Sequence, residues 1–133
     1  MNKFSMPVRV YIEDTDAGGI VYYVNYLRFM ERARTEFFRE LGFGKAGANK
    51  ESYQFVVRSA QIEYKKPARL DDMLEVTARL VKMRGASLFF EQEVRRDEDI
   101  LSLAEVKIAC VDGASLRPVP LPPEVITTLE KFN

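Results

Sequence analysis

Asn25-Tyr26-Leu27-Arg28-Phe29-Met30-Glu31-Arg32-Ala33-Arg34-Thr35-Glu36-Phe37-Phe38-Arg39-Glu40-Leu41 is the stretch that decides the fold. Tyr26, Met30, Ala33, Phe37 and Leu41 recur at i, i+4, i+7, i+11 and i+15, which makes one apolar stripe on a helix. Phe29 and Phe38 widen that stripe, and all three phenylalanines read as core. Arg28, Arg32, Arg34 and Arg39 lie largely off it, and Arg32 and Glu36 have the i,i+4 spacing of an ion pair. Asn25 is a good N-cap, and Gly42 and Gly44 stop the helix. At 1.5 Å per residue such a helix is roughly 25 Å long.

The flanks read as strands. Val8, Val10 and Ile12 alternate with Arg9 and Tyr11, and the run ends in the turn cluster Glu13-Asp14-Thr15-Asp16-Ala17-Gly18-Gly19. Ile20 to Val24 is expected to form a single helical turn, and Gly44 to Ser52 a loop. Tyr53 to Tyr64 is rich in β-branched and aromatic residues, and Lys65-Lys66-Pro67-Ala68-Arg69 breaks it. Leu74, Val76, Ala78 and Leu80 then form one face of a strand, and Leu88, Phe90, Gln92 and Val94 one face of the next. Arg84-Gly85-Ala86 is a hairpin-length turn between them. Asp97-Glu98-Asp99 turns into a last strand with Ala104, Val106, Ile108 and Cys110 inward. An extended proline-rich tail and a short helix follow. One strand, one amphipathic helix and four antiparallel strands make an α+β domain, with a sheet of about five strands curled around one long helix.

Composition narrows the chemistry. A chain of 133 residues is one domain, taken as 1–133, and folds without disulfides or structural metal. Twenty basic residues balance twenty acidic ones, which argues against a general nucleic-acid binder. The chain has no histidine and one cysteine, which excludes Ser-His-Asp triads, Cys-His pairs and zinc sites. Carboxylates, Tyr, Lys, hydroxyls and backbone amides are left, and no cofactor is implied. No apolar run is long enough for a transmembrane helix, and the start lacks the apolar core of a signal peptide. With its single thiol, the chain is expected in the cytoplasm.

Asp14-Thr15-Asp16-Ala17-Gly18-Gly19-Ile20-Val21-Tyr22-Tyr23 carries the most chemistry. Two acids and two glycines precede the start of a helix, where backbone N–H groups are unpaired. A carboxylate beside such donors can attack a carbonyl, or activate water toward it, while the donors hold its oxygen. The same residues also suit a plain capped turn.

These residues, with Asn25 to Glu36 and Tyr64-Lys65-Lys66-Pro67-Ala68-Arg69-Leu70-Asp71-Asp72, resemble the hotdog-fold thioesterases of the 4-hydroxybenzoyl-CoA thioesterase family. The resemblance spans about residues 7–112 and is greatest to the subgroup encoded with the Tol–Pal envelope system of Gram-negative bacteria. It implies an acyl-CoA thioesterase with Asp16 as nucleophile or general base and the Tyr23 amide polarising the thioester carbonyl. Gly18, Gly19 and Val21 stand beside the substrate in that correspondence. Arg84, in the turn before Ser87, matches a basic loop that meets CoA phosphates. Lys65, Lys66 and Arg69 are a second basic cluster. Many members of the subgroup carry histidine where Tyr23 stands; Tyr keeps the backbone donor but titrates near 10, so it cannot replace an imidazole as acid or base. An alternative function is a non-catalytic module that binds acyl-CoA or an acyl carrier protein. Relatives pair two sheets edge to edge and build the site across the dimer, so a homodimer or homotetramer is expected.

Overall fold

The computed structural model describes residues 3–43 and 53–132. The expected loop from Gly44 to Ser52 lies outside the described residues. In chain order the elements are β1 (Phe4–Arg9), α1 (Asn25–Glu40), β2 (Tyr53–Tyr64), β3 (Met73–Arg84), β4 (Ser87–Arg96), β5 (Asp99–Asp112) and α2 (Pro123–Phe132). The strands form one antiparallel sheet in the order β1-β3-β4-β5-β2, so β1 and β2 are its edges. This is the hotdog fold: the sheet wraps α1.

The alternation read from sequence sets the inward face. Leu74, Val76, Ala78 and Leu80 of β3, Leu88, Phe90 and Val94 of β4, and Val106, Ile108 and Cys110 of β5 are buried around α1. Phe29, Met30, Ala33 and Phe37 supply the helix side, each at most 1% exposed. Burial pushes the Cys110 thiol above its usual range, as for an inert core cysteine. Bulges at Val57/Ser59 in β2 and Leu80/Lys82 in β3 bend the sheet around the helix. Helix α2 opens on Pro123, which needs no N–H partner there. It lays Phe132 edge-on against Phe37, with ring centroids 5.1 Å apart.

Four local expectations change. The first strand runs Phe4–Arg9 rather than from Val8 to Ile12. It is an edge strand, which tolerates Pro7, and it ends where Val10 N–H turns to Asp72 O. Ile12 enters a short 3-10 turn, Ile12–Asp14, and is 75% exposed. Ile20 and Val21 form bridges to Arg69 and Thr15 instead of a helical turn. Asn25 is the first residue of α1 rather than its cap; its side chain reaches back to Asp14 O at 2.9 Å. Finally, Glu36 pairs with Arg39, Arg32 lies over the Phe29 ring, and Arg34 is buried in the core.

Candidate active site

The loop from Asp14 to Val24 is built by its own hydrogen bonds. Asp14 is half-buried: its Oδ2 accepts Tyr11 N–H at 2.9 Å, and its carbonyl accepts Tyr22 N–H and the Asn25 amide. Asp16 likewise uses one carboxylate oxygen. Its Oδ1 accepts Gly18 N–H at 2.8 Å, and no described residue donates to its other carboxylate oxygen. The Asp16 side chain is exposed. Gly19 closes the turn with φ near 80°, a conformation that favours glycine, and donates to Asp16 O at 3.1 Å. The two glycine N–H groups therefore hold the turn.

The chain then reaches α1. Asn25 N–H returns to Tyr22 O at 2.8 Å and Tyr26 N–H to Tyr23 O at 3.4 Å. No described residue accepts a hydrogen bond from the Tyr23 or Val24 N–H. Those two donors sit at the positive end of the helix dipole, on the same loop as Asp16. The arrangement offers a carboxylate oxygen and oriented amide donors on one loop, the pieces needed for attack on a carbonyl.

A second segment fixes this loop. Val21 N–H donates to Ala68 O at 2.8 Å, and Leu70 N–H to Gly19 O at 3.3 Å. The buried Tyr26 hydroxyl accepts Ala68 N–H at 2.9 Å; burial raises the Tyr26 pKa, partly offset by that bond. Asp72 ties the segment down, accepting Arg69 N–H at 2.9 Å and Arg96 Nη1 at 2.8 Å. Burial alone raises the Asp72 pKa, but these donors override it and hold the carboxyl below its usual range. Val21 itself is 3% exposed and supports the loop from beneath.

Two openings flank Tyr23. On one side Tyr23, Tyr26, Tyr64 and Pro67 line a cleft with Lys65 and Lys66 at its rim. The Tyr23 and Tyr64 rings are 5.8 Å apart and those of Tyr26 and Tyr64 5.5 Å. On the other side a groove runs between α1 and β2, from Val24 and Leu27 past Arg34 and Val57 to Phe38 and Phe55. The tyrosine cleft, Asp72–Arg96 and the buried Arg34 were not singled out from the sequence as parts of a site.

Arg84 and Ser87 are not part of this cluster within one chain. They flank the β3–β4 turn, whereas the Asp16 loop packs beside the other end of β3. The 12 residues of β3 separate the two ends by about 35–40 Å of strand.

Residues 10–129 match the model of the thioesterase-like superfamily. The chain belongs to that superfamily. It is 49% identical over 125 residues to "Acyl-CoA thioesterase YbgC" of Haemophilus influenzae, covering 93% of this chain and 92% of the relative. It is 46% identical over 129 residues to "Acyl-CoA thioester hydrolase YbgC" of Escherichia coli, covering 96% of each. Among solved structures, a probable thioesterase from Bartonella henselae superposes with a TM-score of 0.79 at 38% identity, over 91% of this chain and 100% of that one. The superfamily thus spans both the Asp16 loop and the β3–β4 turn of this member.

Proposed function

We propose that this thioester hydrolase cleaves acyl-CoA to a free acid and coenzyme A, using the Asp16 carboxylate and the Tyr23 N–H. The carrying observation is that the exposed Asp16 carboxylate keeps one oxygen unpaired on the loop that ends in the unpaired amides at the start of α1. The names of the H. influenzae and E. coli relatives support the acyl-CoA class. The thioester carbonyl oxygen accepts the Tyr23 N–H, which stabilises the oxyanion. Asp16 takes a proton from water as the hydroxyl oxygen bonds to the carbonyl carbon. The tetrahedral centre collapses, the C–S bond breaks, and the thiolate leaves with the proton that Asp16 held. Direct attack by Asp16 gives a mixed anhydride that water then opens, with the same products. Neither route needs the Tyr23 phenol.

The working unit in this reading is a homodimer. β2 is a free edge with Val57 51% exposed. Across the sheet, Ser87 stands level with Ala109, and Ala109 with Val56, near one end of β2. Tyr64, beside Tyr23, is the other end. A two-fold axis that pairs β2 with its copy antiparallel sets the two ends side by side. It brings Arg84 and Ser87 of one copy toward the Asp16 loop of the other, where Arg84 meets CoA phosphates. Phe89, with Lys82 and Lys107 5.2 and 5.5 Å from its ring, marks the outer sheet face as a seat for a second dimer. Placement in the Tol–Pal-associated subgroup rests on Asp14–Tyr22 and Asn25–Glu36. A cytoplasmic site fits a lone cysteine and the absence of any described helix long and apolar enough to cross a membrane.

The test is thiol release from acyl-CoA by wild type and Asp16→Asn. Asn keeps the bond from Gly18 N–H, so the fold should stand while turnover falls about 10²–10⁴-fold or more. Wild-type turnover in Asp16→Asn sinks the mechanism. No thiol release by the wild type from any acyl-CoA sinks the function.

A further inference from the structure

We propose that Arg34 makes the enzyme prefer acyl groups whose far end carries an oxygen acceptor, above all dicarboxylic half-thioesters, over plain alkyl chains. The inference rests on the thioesterase reading above and deepens it to a substrate class.

Arg34 is 8% exposed and lines both halves of the groove between α1 and β2. Leu27, Phe38, Phe55 and Val57 form its apolar walls, and Glu31, which is exposed, lines both halves beside Arg34. Arg34 Nη1 donates to Gln92 Oε1 at 2.8 Å. The Gln92 amide cannot turn away, because its Nε2 donates to Met30 O at 2.9 Å and Thr77 O at 3.0 Å. So a buried amide, itself anchored to two backbone carbonyls, points one face of the guanidinium. That leaves the other N–H groups of the fork, which have no acceptor among the described residues and no ion-pair partner. Burial lowers the guanidinium pKa and Glu31 opposes the shift, yet an arginine remains charged. A fixed, charged group at 8% exposure with N–H donors to spare is costly unless an oxygen completes it.

The groove begins at Val24, next to the Tyr23 amide. From Tyr23 to Arg34 the helix rises about 16 Å, and a helical side chain leans back about one turn toward the N-terminus. The guanidinium therefore stands about 10 Å from the carbonyl site, within reach of a short acyl chain. A terminal carboxylate there accepts two parallel bonds from the fork, while a methyl end leaves the donors unpaired.

The experiment compares kcat/KM within matched pairs: butanoyl- against succinyl-CoA, hexanoyl- against adipoyl-CoA, and octanoyl- against suberoyl-CoA. The wild type should favour the diacid in at least one pair. Arg34→Met should lower that ratio about ten- to a hundredfold, the worth of a charge-assisted bond. Arg34→Lys, which keeps the charge but loses the fork, should recover part of it, and it carries the test should the methionine variant fail to fold. A wild type that favours the alkyl chain in every pair overturns the proposal. So does an unchanged ratio in Arg34→Met, and a loss of dimer mass with an unchanged ratio would assign the donors to a carboxylate of a second copy. A wild type inactive on all six substrates is a different result: it removes the thioesterase reading itself.

Discussion

Asp72→Asn should loosen the site without touching substrate, and its effect should depend on pH in a fixed direction. Asp72 accepts from Arg69 N–H and from Arg96 Nη1, and the Asp72 and Arg96 side chains are 23% and 27% exposed. Asparagine can still accept one of these bonds but carries no charge. A part-buried charge-assisted bond is worth about 1–2 kcal/mol after allowing for solvent screening. For a domain of this size that lowers Tm by roughly 3–8 °C at pH 7. The sign follows from the depressed carboxyl pKa in the fold. Such a group stabilises fully above its unfolded pKa, about 3.9, and the contribution is lost as pH falls through the folded value. Melts of both proteins from pH 8 downward should show a constant gap that narrows below about pH 4. Activity adds a second readout, since the Asp72 segment holds Gly19 and Val21 through Leu70 N–H and Ala68 O. A small displacement of the Asp16 loop should cost about tenfold in kcat. A gap that stays the same down to pH 3, or one that widens in acid, would refute the ion-pair account.

Three further outcomes follow from the same geometry. Tyr26→Phe removes the hydroxyl that accepts Ala68 N–H in a buried position, which should cost about 1–3 kcal/mol in denaturant unfolding. Arg84→Ala should raise KM for acyl-CoA about tenfold with kcat nearly unchanged, and the effect should shrink for thioesters lacking the nucleotide. Light scattering should give at least twice 15.3 kDa, and Val57→Lys on the exposed edge should drive the mass toward the monomer and abolish activity together. A monomeric but active Val57→Lys protein would remove the shared site.

How much of this was legible in the sequence depends on the range of the interactions. The helix and the inward faces of β3, β4 and β5 follow from periodicity, because one side of each element meets the core. Arg34 departs from the expectation of a residue off the apolar stripe for a local reason. At 100° per residue it falls between Met30 and Phe38 on the helical wheel, so widening the stripe to Phe38 already encloses it. The missing signal was Gln92, a polar residue at an inward position of β4 with side-chain hydrogen-bonding capacity to meet it. Ile20 and Val21 left the helical expectation because partners 49 and 6 residues away, Arg69 and Thr15, pair with them. No local pattern reports such a partner. The tyrosine cleft is hidden for the same reason, since Tyr23 and Tyr64 meet only when β2 returns to the head of α1.

The two aspartates of the loop show what structure adds to a motif. Asp14 and Asp16 are chemically identical and two residues apart, and both fit a capped turn. Each carboxylate accepts one N–H, and burial and the Asp14 main-chain carbonyl separate them. The Asp14 carboxylate closes the turn onto Tyr11 N–H, and its carbonyl gathers Tyr22 and Asn25, so the start of α1 is held in place. Asp16 contributes to the turn with one oxygen and presents the other outward. Division of labour of this kind is what a hydrolase without histidine requires. A carboxylate cannot donate a stabilising hydrogen bond to the oxyanion, so that task passes to backbone amides, whose orientation must come from a rigid neighbour. Asp14 supplies that rigidity from one side and the Asp72 segment from the other, while Asp16 is the exposed acid of the loop.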